Sequence, residues 1–190
     1  MRSRPWTRLG VVGVAGHLTY ELASGVGVPL ASRVGVTAAT TAFAVPSVVA
    51  YRAAGDLPSP RGDRRFAVAN GLFASAVMTH FTSWPRTTFA GLPWLTECEG
   101  LEGRLMGPYN VLLYVSAVAA VGGAVENRIA WRWFALTPLV VVPLLRRETP
   151  SEYRRLLTQA AERPSWWNRR LAARVRRAVD VEPTTTTPTV

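Results

Sequence analysis

Lysine is absent from this 190-residue chain, and all 22 of its basic side chains are arginine. The bias fits GC-rich coding more simply than it fits a functional choice. Cysteine is nearly absent as well, and a single Cys98 excludes an internal disulfide scaffold. The chain also has no CxxC, HExxH or GxSxG motif and no glycine-rich phosphate loop, so Cys98 reads as a bland thiol. Charge is scarce: 18% of residues are charged and 48% are apolar, whereas soluble domains average roughly 25% charged. What charge there is sits at the ends and in the loops, leaving long uncharged gaps.

Those gaps are the main feature of the chain. A transmembrane helix needs about 20 mostly apolar residues. Runs 9–30, 34–53, 66–84 and 108–126 meet that length or nearly so. A fifth run, 130–145, is short and carries Pro138 and Pro143, which membrane helices tolerate when neighbours satisfy the freed carbonyls. The expected fold is therefore all-α: a polytopic membrane bundle of about five spans over residues 1–148. Four spans plus an interfacial segment is the alternative. The basic N-terminus resembles a signal peptide, but its apolar run is long and lacks a cleavage site, so a retained anchor is expected.

The net charge of +10 raises the question of nucleic acid. Ten of the 22 arginines, however, lie between Arg146 and Arg177, directly after the last apolar run. That placement favours anionic lipid headgroups as partner and no nucleic acid. In SWWNRRLAARVRRAV, Trp167, Leu171, Val175 and Ala178 share one helical face and most arginines fall elsewhere. Residues 149–180 thus read as an arginine-rich amphipathic segment at the membrane interface, and 181–190 as a disordered tail. Arginine placement leaves orientation open. Arg2, Arg4 and Arg8, the 52–65 region, and Arg128 with Arg132 mark one side as cytoplasmic. Five spans then put the arginine-rich C-terminus on the other side, against the same rule.

A few polar residues interrupt the apolar runs. Gly10, Gly13, His17, Glu21 and Ser24 step by three and four, forming one small and polar helical face that points into the protein. Asn70, Phe73, Val77, His80 and Trp84 form a comparable stripe in the third run. Glu21 lies about 18 Å along its helix from Leu9, and His80 about 21 Å from Phe66, at 1.5 Å per residue. Parallel first and third spans therefore bring His17, Glu21 and His80 to one half of the membrane. The fourth span begins on that side with Asn110 and Tyr114. The connection 85–107, with Trp94, Glu97, Glu99 and Glu102, closes over it as a binding lid or as a solvated acidic loop. Glu126 and Asn127 lie at the far end and are read as a helix terminus beside Arg128.

Ionisable residues inside a span mark functional sites by default, although His17 and Glu21 at i,i+4 also suit a self-neutralising helix pair. The stretches GLPWLTECEGL and PYNVLLYVSAVAA resemble a family of uncharacterised multi-pass membrane proteins of actinobacteria. HLTYE, residues 17–21, is similar to the HxxxE element of the emopamil-binding sterol isomerase family. That resemblance implies a five-span protein whose embedded His and Glu move protons at a carbon–carbon double bond of a lipidic substrate.

The first functional expectation is an intramembrane isomerase or cyclase of a lipidic, isoprenoid-like substrate. In it His17, Glu21 and His80 carry protons, Asn110 and Tyr114 orient the substrate, and Trp84 and Trp94 stabilise developing positive charge. The alternatives are a small lipid, proton or metal carrier, and an accessory scaffold subunit. The HxxxE spacing with one distant histidine is a weak metal pattern. No metal and no cofactor is expected.

Overall fold

The computed structural model describes residues 3–181. The chain is all-α apart from two small hairpins. Five long helices follow the five apolar runs: α1 (Pro5–Ser24), α3 (Val36–Asp56), α4 (Arg61–Ser83), α5 (Met106–Glu126) and α6 (Trp131–Glu162). Two short ones complete the set, α2 (Ala31–Val34) before α3 and α7 (Arg169–Val181) at the end. The long helices alternate in direction. One end of the bundle collects the start of α1, the α3–α4 loop and the end of α5. The other collects α2, both hairpins and α7.

α1 packs chiefly against α5, and α4 against both α5 and α6. Small residues permit the close approach. A Cβ added at Gly13 would lie 2.6 Å from Ser116 Oγ and 3.3 Å from its Cα. Several hydroxyls on the long helices are satisfied locally: Ser75, Thr79, Ser116 and Thr137 each donate to the carbonyl four residues earlier.

The fifth run is longer than its composition suggests. α6 is one helix of 32 residues that continues through Pro138, Pro143 and Pro150, about 48 Å at 1.5 Å per residue. The expected boundary at 148/149 falls inside it. Proline removes one hydrogen bond without stopping a helix whose neighbours hold its course. Pro138 cannot bond the Phe134 carbonyl, and that oxygen lies against Gly71 of α4, 3.0 Å from where a Cβ would be.

The outer surface is strongly apolar. α3 buries only Ala39 and Ala54, and Val45, Val48 and Val49 stand exposed. On α6, Leu139 is 71% and Val140 62% exposed. Two segments, Gly103–Glu126 and Arg128–Glu162, are long and apolar enough to cross a bilayer.

The 85–107 connection forms two hairpins, β1 (Arg86–Phe89) with β2 (Leu92–Leu95) and β3 (Glu97–Cys98) with β4 (Leu101–Glu102). Each turns through two residues of positive φ, Ala90–Gly91 and Glu99–Gly100, the backbone twist that two-residue hairpin loops require. Gly100 is required sterically too, since a Cβ there would meet Leu171 at 2.6 Å.

That contact shows where α7 sits. Trp167, Leu171 and Ala172 are buried in the same core as Val26, Leu95, Leu101 and Tyr109. The apolar face expected to lie in lipid is thus partly used for docking onto the protein. Arg174 pairs with Glu97 at 2.5 Å and Arg177 with Glu102 at 2.9 Å. Arg169 and Arg170 donate to the Ala23 and Ser24 carbonyls at the end of α1. The acidic loop and the basic helix therefore hold each other. Of the expected disordered tail, 181–190, Val181 ends α7 and the rest lies outside the described residues.

Candidate functional site

α1 and α4 run parallel, and their polar faces meet at the hairpin end. His17 and Glu21 on α1 are 3% and 1% exposed, and His80 on α4 is partly buried, its side chain 14% exposed. The His17 and His80 ring centroids are 5.7 Å apart, edge to face. His80 Nε2 lies 3.7 Å from Glu21 Oε1. One nitrogen of each histidine and one Glu21 carboxylate oxygen fall within 4.8 Å of one another. The three residues that the sequence singled out do converge.

A fourth member went unnoticed in the sequence. Tyr109 of α5 is fully buried and donates its hydroxyl to Glu21 Oε1 at 2.5 Å. Its ring stacks on His80, centroids 5.9 Å apart, and stands edge-on to His17 at 6.4 Å. The available signal was helical phase, since Tyr109 precedes Asn110 in the first turns of α5. Cys98, read as inert, lies with its Sγ 3.6 Å from the Tyr109 oxygen and is completely buried.

Two nitrogens in this cluster lack hydrogen bonds. His80 Nε2 has none. His17 Nδ1 faces the Gly13 carbonyl of its own helix without forming a bond of ordinary geometry. Buried polar atoms are paired in the great majority of cases, and an unpaired one costs about 1–3 kcal/mol. Above the cluster, burial and then the nearby Glu152 carboxylate push the Glu99 carboxyl up to about 7.

The other expected site residues have local duties. The Asn110 amide brackets Leu95, accepting from its N–H at 2.9 Å and donating to its carbonyl at 3.0 Å. The Tyr114 hydroxyl donates to the Pro93 carbonyl. Both anchor the first hairpin to α5. Trp94 stacks on Tyr114 and sits beside Phe89 on that hairpin. Trp84 contacts Tyr153 of α6, ring centroids 5.1 Å apart. Asn110 and Tyr114 thus contact the first hairpin, Trp94 lies on it, and Trp84 contacts α6.

The far end of the bundle holds a second polar cluster. Arg4, 2% exposed, pairs with Asp63 at 2.8 Å and donates to Asn127 and to the Ala54 and Leu57 carbonyls. Glu126 accepts from the Trp6 and Thr7 backbone N–H groups and the Thr7 hydroxyl. Carboxylate oxygens there satisfy the free donors at the start of α1. Glu126 and Asn127 thus tie α5 to the α1 terminus, a structural role at a helix end.

Comparison with known protein families, with curated proteins and with solved structures finds no match to this chain.

Proposed function

We propose that this chain is a multi-pass protein of the bacterial cell membrane, spanning it with α1, α3, α4, α5 and α6. Its working part is an acid–base centre formed by His17, Glu21, His80 and Tyr109. The apolar belt over α3 and α6 supports the membrane placement, because contiguous apolar patches of this kind need lipid or protein to cover them. α6 exceeds the roughly 30 Å hydrocarbon core, so its C-terminal part reaches beyond the bilayer. The exposed Trp166, Arg176 and Val179 then suit contact with anionic headgroups.

The observation that carries the functional reading is the meeting of three ionisable side chains and a tyrosine in one buried cluster at one end of the bundle. General acid–base catalysis needs such groups close together and shielded from water. Tyr109 and Glu21 form a hydrogen-bonded donor–acceptor pair, and a small rotation of His80 brings it within bonding distance of the same carboxylate. The HxxxE resemblance points to a lipidic substrate with a double bond. Such a substrate would approach through the bilayer. An apolar groove of about 90 Å³, lined by Leu18, Leu22, Phe43 and Ala44, opens between α1 and α3 on the other face of α1. Movement of the hairpins or of α1 would be needed to admit a chain to the cluster. A through-membrane carrier is less favoured, since the Ser75, Thr79 and Ser116 hydroxyls between the two polar ends bond within their own helices.

Two measurements test this reading. The protein should resist alkaline carbonate extraction, and release of the intact chain would overturn the membrane placement. Host cells expressing the wild type should show an altered isomer composition in extracted isoprenoid lipids by chromatography and mass spectrometry. The Glu21→Gln variant, accumulating equally, should not. Identical profiles for the wild type and an empty vector would overturn lipid isomerisation.

A further inference from the structure

The same cluster has the dimensions of an ion site. We infer that His17, His80 and Glu21 bind one divalent first-row transition ion of the zinc class, an inference that rests on this cluster being the functional centre. Helical spacing alone does not reveal the site, because one ligand comes from another helix. In the fold, two imidazole nitrogens and a carboxylate oxygen lie within 4.8 Å of one another. The Glu21 oxygen and His80 nitrogen are already 3.7 Å apart. Tetrahedral zinc, with bonds of about 2.0–2.2 Å, places neighbouring donor atoms roughly 3.4 Å apart. Closing on an ion brings the widest donor pair together by up to about 1.4 Å, within reach of side-chain rotation.

Three further observations agree. First, His80 Nε2 is buried without a hydrogen bond, and a metal would give it the partner it lacks. Second, the Tyr109 hydroxyl donates at 2.5 Å to Glu21 Oε1, the oxygen that faces His80, and such a hydrogen bond orients a ligating carboxylate. Third, two nitrogens and one oxygen form a borderline donor set suited to zinc, cobalt(II) or iron(II) more than to calcium or magnesium. Three protein ligands leave a fourth position open, as in catalytic zinc sites.

The test uses the full-length chain purified in mild detergent through an affinity tag that contains no histidine. After metal stripping and titration with cobalt(II), the wild type should take up one ion per chain. Visible absorption bands should report nitrogen–oxygen ligation, and zinc should displace the cobalt. His80→Ala and His17→Ala should each lose at least ten-fold in affinity, and Tyr109→Phe about 10–100-fold through its outer contact. A helical circular-dichroism spectrum and a monodisperse elution profile would show that each variant is folded. If a variant fails to fold, thermal melting of the wild type with and without zinc gives an independent reading, and a rise in Tm with zinc is expected. Absence of cobalt bands together with an unmoved Tm would overturn the metal site. Should Glu21→Gln still abolish the lipid change in that case, the acid–base reading stands without a metal. Stoichiometric cobalt binding with unaltered lipids would leave the metal site standing and remove the isomerase.

Discussion

Replacing Tyr109 with phenylalanine deletes one oxygen atom from the centre of the cluster and leaves the ring stacked on His80. The hydroxyl lost is fully buried and donates to Glu21, itself 1% exposed. Leaving a buried hydrogen-bonding partner unsatisfied costs about 1–3 kcal/mol, and burial of both groups puts this one toward the upper end. For a chain of 150–250 residues each kcal/mol moves Tm by about 2–4 °C, so Tyr109→Phe should melt about 5–10 °C lower in mild detergent. A double-mutant cycle with Glu21→Leu separates the hydrogen bond from any packing change. Glu21→Leu leaves the Tyr109 hydroxyl with only the Cys98 sulfur nearby. The double variant should therefore be less destabilised than the sum of the singles, by a coupling of about 1.5–3 kcal/mol. Additivity within about 0.5 kcal/mol would show that Tyr109 and Glu21 do not interact, and the cluster would lose its fourth member.

Two other predictions concern the frame around the site. Arg4→Met keeps the apolar stem and removes a guanidinium that holds Asp63, Asn127 and two carbonyls. Breaking a buried pair costs about 3–5 kcal/mol. Because Asp63 also accepts from Ser59 at 2.5 Å, the lower end is expected. Asp63→Asn added to Arg4→Met should recover part of the loss, and an unmoved Tm in the single variant would refute the bridging role. Gly13→Ala turns the Ser116 hydroxyl off its Leu112 bond and makes the α5 backbone give by a few tenths of an ångström, so it should lower stability by less than Gly13→Leu. Gly13→Leu forces α1 off α5 and should cost about 1–3 kcal/mol or more, seen as aggregation by fluorescence-detected size exclusion. Val12→Leu, at an exposed neighbouring position, is the control.

Much of this protein was decided locally. Apolar runs of helical length set the five long helices, because a chain with so little charge has few other ways to satisfy its backbone. The small and polar face from Gly10 to Ser24 was legible for the same reason. Side chains three and four residues apart share one side of a helix, and polar groups on an apolar helix face inward. Parallel first and third spans then placed His17, Glu21 and His80 at one end by arithmetic alone.

Other features depended on contacts distant in sequence. α6 packs against α4 and runs on through three prolines to Glu162, so its length was not readable from residues 130–145. The acidic connection and the arginine-rich helix look separately like a lid and a lipid anchor. Only folding brings Glu97 to Arg174 and Glu102 to Arg177 and makes them one cap. Asn110 and Tyr114 have the chemistry of ligand-orienting groups, but the first hairpin takes up their hydrogen bonds. Tyr109, one residue from Asn110, enters the site because the rotation of α5 about its axis aims it at Glu21. Gly13 and Ser116, two positions with no chemistry of their own, meet where α1 and α5 pack. Sequence fixes which groups a helix face carries; packing fixes which faces meet, and here the meeting of three faces makes the centre.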